Sequence, residues 1–296
     1  ITSNFNEITP PAVGRSASVH GHIMSRIQTS FSRLQTEGRK ALIPYLTAGD
    51  PGIETTLGLM HALVSNGADI IELGFPFSDP SSDGPVIQRA VERSLAQHTR
   101  LRDVLDIVSR FRQDNQDTPV VLMGYLNPIE SMGYQVFADR AVQAGVDGVL
   151  IVDMPPEEAH DLKVILDKAH LDTIFLVAPT TNPERAEAIC KVSTGYVYYV
   201  SLKGVTGAAN LDIDSVAGNL IKLRQHTSLP IGVGFGIRDG ASAAGIAAVA
   251  DAVVVGSALV NKIAELDASQ IYTPEQLQEQ TGIIAMMRAA MDAAQG

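Results

Sequence analysis

The chain has 296 residues, 45% of them hydrophobic and 19% charged, enough for one large core, and a single barrel of roughly 250 residues would take up most of it. With 22 basic and 33 acidic residues it carries a net charge of −11 and no run of Lys or Arg, which argues against nucleic acid as a partner, and no apolar run is long enough to cross a bilayer. Cys190 is the single cysteine, so a disulfide framework and a thiolate metal cluster are both excluded, a pattern that suits a reducing cytoplasm.

Residues 1–23 are mostly polar, with Pro10 and Pro11 and several serines. They lack both the basic-then-apolar order of a secretion signal and the periodicity of a partner-binding arm. They read as an extension, with Met24 as a natural start and residues 24–296 as one catalytic domain. A helix is expected over Met24–Glu37. From Ala41 onward, short β-branched runs alternate with stretches of helical period, which predicts parallel strands joined by crossover helices.

The expected strands are Ala41–Tyr45, Ile70–Leu73, Val120–Met123, Gly148–Val152, Thr173–Val177, Tyr196–Val200, Ile231–Val233 and Ala252–Val255. Between them lie helices at Ile53–Asn66, Val86–Gln97, Leu101–Arg112, Tyr134–Ala144, Pro156–His170, Pro183–Val192, Ile213–Gln225 and Gly240–Val249. Further helices are expected at Ser257–Ala264 and Pro274–Ala294. Eight near-continuous apolar strands, each followed by polar or Gly-rich residues, predict an α/β fold of the (β/α)₈ TIM-barrel class with extra helices at both ends.

In such a barrel the chemistry collects at the carboxyl ends of the strands. Reading off that rim gives Asp50, Glu72, Tyr125, Asn127, Asp153, Thr180, Ser201, Gly234–Gly236 and Gly256–Ser257. Glu72 is an acid inside the apolar run Ile70–Gly74, where burial raises its pKa and equips it to carry a proton near neutrality. Asp83 sits in the loop Gly74–Pro85, stiffened by Pro76, Pro80 and Pro85. Taken locally, Asp83 is a helix cap and Asp79 a turn residue.

Three Gly-rich segments, Gly204–Ala208, Gly232–Gly236 and Gly256–Ala258, offer backbone N–H groups to a phosphate. An acidic protein without a cluster of Arg or Lys there needs such amides to hold an anion. Lys203, after the sixth strand, is placed for a Schiff base, so a lysine-dependent aldolase or another sugar-phosphate barrel enzyme is a competing reading. The seven histidines are dispersed, and no metal site is expected.

The stretches Pro44–Pro51, Glu72–Pro80, Asp83–Gln88, Gly204–Gly207 and Gly234–Ile237 resemble, in order, the α subunit of the tryptophan synthase family. The resemblance runs from about Met24 to the end, and its most specific part is the E-L-G-x-P-F-S-D-P run followed by D-G-P. It implies a cofactor-independent retro-aldol split of indole-3-glycerol phosphate into indole and glyceraldehyde 3-phosphate. By position, Glu72 matches the family's catalytic glutamate, Asp83 its catalytic aspartate and Tyr198 a tyrosine lining the active site. Gly207, Gly236, Gly256 and Ser257 match the phosphate cradle, and Thr206 lies on a loop that closes over substrate.

On this basis Glu72 gives a proton to indole C3 and then, as carboxylate, takes one from the glycerol hydroxyl. Ionised Asp83 faces the charge developing at the indole nitrogen. Such a pair needs Glu72 raised by apolar burial and Asp83 kept ionised by a polar loop. The implied partner is a pyridoxal-phosphate-containing β subunit in an α2β2 assembly, met through the loops after the second and sixth strands. A non-catalytic barrel that only activates such a partner is a third reading. Ser81-Ser82 departs from the Leu-Ala more usual before Asp83-Gly84-Pro85 and makes that loop more polar.

Overall fold

A computed structural model describes residues 24–201 and 212–295. The strands are β1 Ala41–Thr47, β2 Ile71–Gly74, β3 Val120–Gly124, β4 Gly148–Ile151, β5 Asp172–Ile174, β6 Leu176–Val177, β7 Val197–Val200, β8 Ile231–Gly234 and β9 Ala252–Val255. All pairings are parallel, in the order β5-β4-β3-β2-β1-β9-β8-β7-β6. The expected fifth strand is divided at Phe175: β5 pairs with β4 and β6 with β7. The Phe175 carbonyl accepts the Tyr198 N–H at 3.1 Å, so one extended segment joins both ends of the sheet and closes the eight-membered barrel.

The helices among the described residues are α1 Arg26–Thr36, α2 Ile53–Ser65, α3 Pro85–Ala96, α4 Leu101–Asp114, α5 Leu126–Met132, α6 Tyr134–Ala144 and α7 His160–Lys168. They continue with α8 Pro183–Val192, α9 Ile213–Leu223, α10 Gly240–Ala247, α11 Ser257–Ile263, α12 Pro274–Gln280 and α13 Gly282–Ala293. No helix among them is long and apolar enough to cross a membrane. Three expectations are corrected. The seventh helix begins only at His160, because Pro155–Glu158 make a turn (Glu158 N–H to Pro155 C=O, 3.0 Å). The last expected helix is two: the buried Thr281 hydroxyl donates to the Leu277 carbonyl at 2.8 Å and accepts from Asn66 at 2.9 Å, and a new helix starts at Gly282. The short α5 was not expected.

Alternation along the strands divides the apolar residues between two layers. Ile43, Ile70, Val121, Leu150, Ile174, Tyr196, Ala252 and Val254 form a buried cluster inside the barrel. Their neighbours, such as Leu42, Ile71, Leu122 and Val149, belong to the larger core shared with the helices. Helix α1, opened by a capping box between Ser25 and Gln28, sets Ile27, Phe31 and Leu34 against the inner cluster and plugs the amino end.

Acids just ahead of three strands tie that end together. Asp69 accepts the Leu42 N–H at 3.0 Å, Asp147 that of Val120 at 2.8 Å and Asp251 that of Ile231 at 2.9 Å. Arg288, Arg112 and Arg224 neutralise them. The opposite rim is left for chemistry.

Candidate active site

Glu72 and Tyr45 are register partners on β2 and β1. The Glu72 side chain is fully buried in the barrel interior, where the Tyr196 hydroxyl donates to Oε1 at 2.5 Å and Oε2 has no hydrogen-bond partner among the described residues. Loss of hydration raises its pKa from the ordinary 4.5 to about 7, against the opposing hydrogen bond from Tyr196. The group therefore takes up and releases a proton near neutrality.

Three inward tyrosines surround this carboxyl. Tyr196 and Tyr198 are two apart on or beside β7 and face the same way, with Tyr45 coming from β1. Gly74 and Gly234 make the space: an added Cβ would collide with the phenol of Tyr45 or Tyr198 respectively. The Tyr198 phenol is held well above its ordinary pKa by burial and then by the charge of Glu72, which places the two together.

Asp83 is half-buried on the loop after β2. It does not cap α3, whose N-cap is Gly84 with no side-chain cap. Its Oδ2 instead accepts the Tyr125 hydroxyl at 3.2 Å, while the same Tyr125 oxygen accepts the Ser82 N–H at 2.9 Å. This corrects the local reading as a cap and gives Ser82, one of the two departing residues, a fixed place. Asp79 is the turn residue, with its carboxylate on the Ser78 hydroxyl at 2.9 Å and its carbonyl accepting the Ser81 N–H at 2.8 Å.

Burial also raises Asp83, to about 6, partly offset by Tyr125. The two acids thus keep the expected order, but the contrast is narrower than the polar loop implied, because Phe75, Phe77 and Val91 share the small cavity with Asp83. The same cavity is lined by Tyr45, Met123, Tyr125 and Val152, placing Asp83 above the inner tyrosines.

On the far side of the rim, Phe235 and Gly236 follow β8 with φ of 80° and 79°. Left-handed conformations at both turn the backbone sharply, and Phe235, which is 51% exposed, bears the strain of a non-glycine residue there. The Ser201 hydroxyl donates to the carbonyls of Gly234 and Phe235, each at 2.8 Å, and ties the end of β7 to this turn. Gly256 and Ser257 lie at the start of α11, whose first N–H groups have no partner within the helix. Gly207, Thr206 and Lys203 lie outside the described residues.

Tyr196 and Ser201, like Tyr45 and Tyr125, are site residues to which sequence reading gave no role. The pattern Tyr196, Tyr198 on one face was the available signal for the first; Ser201 stood on the predicted rim without a partner to assign. Among the described residues, no group of three or more His, Cys, Asp and Glu side chains could hold a metal ion.

The sequence profile described as Tryptophan synthase alpha chain matches residues 31–291. The chain belongs to the tryptophan synthase alpha chain family. It is similar to the alpha chain of Chromobacterium violaceum, 61% identical over 269 residues that cover 90% of this chain and 100% of the relative. The alpha chain of Thioalkalivibrio sulfidiphilus is 59% identical over 269 residues, covering 91% and 100%. Among solved structures, tryptophan synthase subunit alpha from Legionella pneumophila superposes with a TM-score of 0.83 at 44% identity, covering 91% of this chain and 99% of that one. A chain of tryptophan synthase from M. tuberculosis, in its aminoacrylate-bound form, gives 0.78 at 36% identity, covering 89% and 99%.

Proposed function

We propose that this member of the tryptophan synthase alpha chain family cleaves indole-3-glycerol phosphate to indole and glyceraldehyde 3-phosphate with Glu72 and Asp83 as its working acids. The reaction is that of a carbon–carbon lyase in tryptophan biosynthesis, and it needs no cofactor in this chain. The observation that carries the residue assignment is the Glu72 carboxyl: fully buried, held on one oxygen, without a partner among the described residues on the other, and titrating at about 7.

Protonated Glu72 delivers its proton to indole C3, which makes the ring an electron sink. The resulting carboxylate then removes the proton from the glycerol hydroxyl as the C–C bond breaks. Asp83, titrating at about 6, is mostly ionised at pH 7 and stabilises the positive character at the indole nitrogen. Tyr198 supplies a wall of the pocket. The turn at Gly236 and the helix start at Gly256–Ser257 offer amides to the phosphate, joined by Gly207, with Thr206 on the closing loop.

The partner in this reading is a β subunit carrying pyridoxal phosphate that consumes the indole, in an α2β2 assembly. Asp83→Asn tests the assignment: indole release falls about 100-fold or more, while affinity for glycerol 3-phosphate stays within about twofold because the phosphate end is untouched. Unchanged turnover would remove Asp83 from the mechanism.

A further inference from the structure

The Tyr45 hydroxyl has no role in the reaction as described, yet Tyr45 is the register partner of Glu72 and lines the same small cavity as Asp83. Tyr45 is buried, with its ring packed under Val86, Ile87 and Ala90 of α3, the helix that begins just after Asp83. Glycine at position 74 leaves room for its phenol, since a Cβ there would collide with the hydroxyl. The side chain lines the same small cavity as Asp83 and Tyr125. Its one hydrogen bond among the described residues is a long one, 3.2 Å to the Thr47 hydroxyl, which serves equally as donor or acceptor.

The phenol stays protonated across the working range: burial raises its pKa first, followed by the charge of Asp83. The titratable groups that face it and the two acids among the described residues are Glu72 from β2, Tyr125 after β3, Tyr196 just before β7 and Tyr198 on it. None of these is a cation, and among the described residues the hydrogen-bond donor to Asp83 is the neutral Tyr125, at 3.2 Å.

We propose that Tyr45 is a positioning residue whose O–H is shared between Thr47 and the Asp83 carboxylate, so that Asp83 keeps its charge when substrate displaces water from the cavity. This rests on the reading of Asp83 as the anion of the reaction. The chemistry is an exchange of hydrogen-bond partner, with no proton transferred. It gives opposite expectations for the two ends of the shared bond: deleting the phenol's hydroxyl removes a donor from Asp83, whereas deleting the threonine's frees the phenol for Asp83.

The test follows the Asp83 carboxyl by NMR of aspartate-labelled full-length chain, its resonance assigned through Asp83→Asn. Tyr45→Phe tightens Asp83's hold on its proton by about 3- to 10-fold, and Thr47→Val loosens it by a similar factor. The acid limb of the kcat/KM profile for indole release moves with each, up in Tyr45→Phe and down in Thr47→Val. A midpoint unmoved in both variants overturns the proposal. If Tyr45→Phe fails to fold, the downward movement in Thr47→Val decides alone. The two readings fail separately: a moving midpoint in a chain that releases no indole removes the proposed reaction and keeps the positioning role, while normal release with unmoved midpoints does the reverse.

Discussion

Removing the Tyr196 hydroxyl exposes how the barrel sets the proton affinity of Glu72. Tyr196→Phe keeps the ring, which packs inside the barrel 6.0 Å from Phe31 and beside Gly232, and deletes the donor 2.5 Å from Oε1. A hydrogen bond to a charged group is worth about 1.5–3 kcal/mol and one to a neutral group about 0.5–1.5, so the differential loss is about 1–1.5 kcal/mol. That corresponds to roughly a 5- to 10-fold tighter proton. Because the hydroxyl favours the ionised form, the Glu72 midpoint rises from about 7 towards about 8. Protonated Glu72 starts the reaction, so this midpoint is the basic limb of kcat/KM; the acid limb belongs to Asp83 at about 6. Indole release followed from pH 5 to about 9 should show the basic limb displaced upwards and the acid limb in place. A basic limb that stays near its original position would refute the link between Tyr196 and Glu72.

Other consequences follow from the same geometry. Gly234→Ala places a methyl group against the Tyr198 hydroxyl inside a packed barrel and should cost ~1–3 kcal/mol in urea unfolding; a neutral result would mean that Tyr198 is free to move. Folded Glu72 holds its proton to about 7 instead of the ordinary 4.5, so the native state binds more protons between those values and wild-type stability falls as pH rises through them, by up to ~3 kcal/mol. Glu72→Gln abolishes that fall and should unfold later than wild type at pH 8 but not at pH 4, as read by thermal melts. Arg93→Met leaves Asp50, only 1% exposed, without the two 2.7 Å bonds that join the loop after β1 to α3; denaturant unfolding should show a loss of roughly 2–3 kcal/mol, reduced by the partial exposure of Arg93.

The barrel was legible because its strands are short apolar runs in regular alternation with amphipathic helices. What the pattern does not carry is tertiary closure: the division at Phe175 arises because that segment must pair with β4 on one side and β7 on the other. Helix α5 has only seven residues, too few to display a period. The break at Thr281 depends on Asn66, which is 215 positions away in sequence.

Glu72 was legible as an acid within an apolar strand. Asp83 was legible only through the family motif, since Asp before Gly-Pro looks like a cap until Tyr125 is seen to hold it. Its raised pKa was invisible for a similar reason: the serines around it are polar in sequence, but the cavity walls come from Phe75, Phe77 and Val91. The alternation that turns Tyr196 and Tyr198 inward was present in the sequence, yet only the fold selects Tyr196 as the one that reaches across to Glu72.

The most direct measurement of the central claim is indole release from indole-3-glycerol phosphate by purified chain, wild type and Glu72→Gln, each alone and with a tryptophan synthase β subunit. Wild type should release indole, and Glu72→Gln, folded by its melting profile, should lose that activity by about 100-fold or more in both settings. Near-normal release by Glu72→Gln would contradict the assignment of Glu72 as the proton carrier.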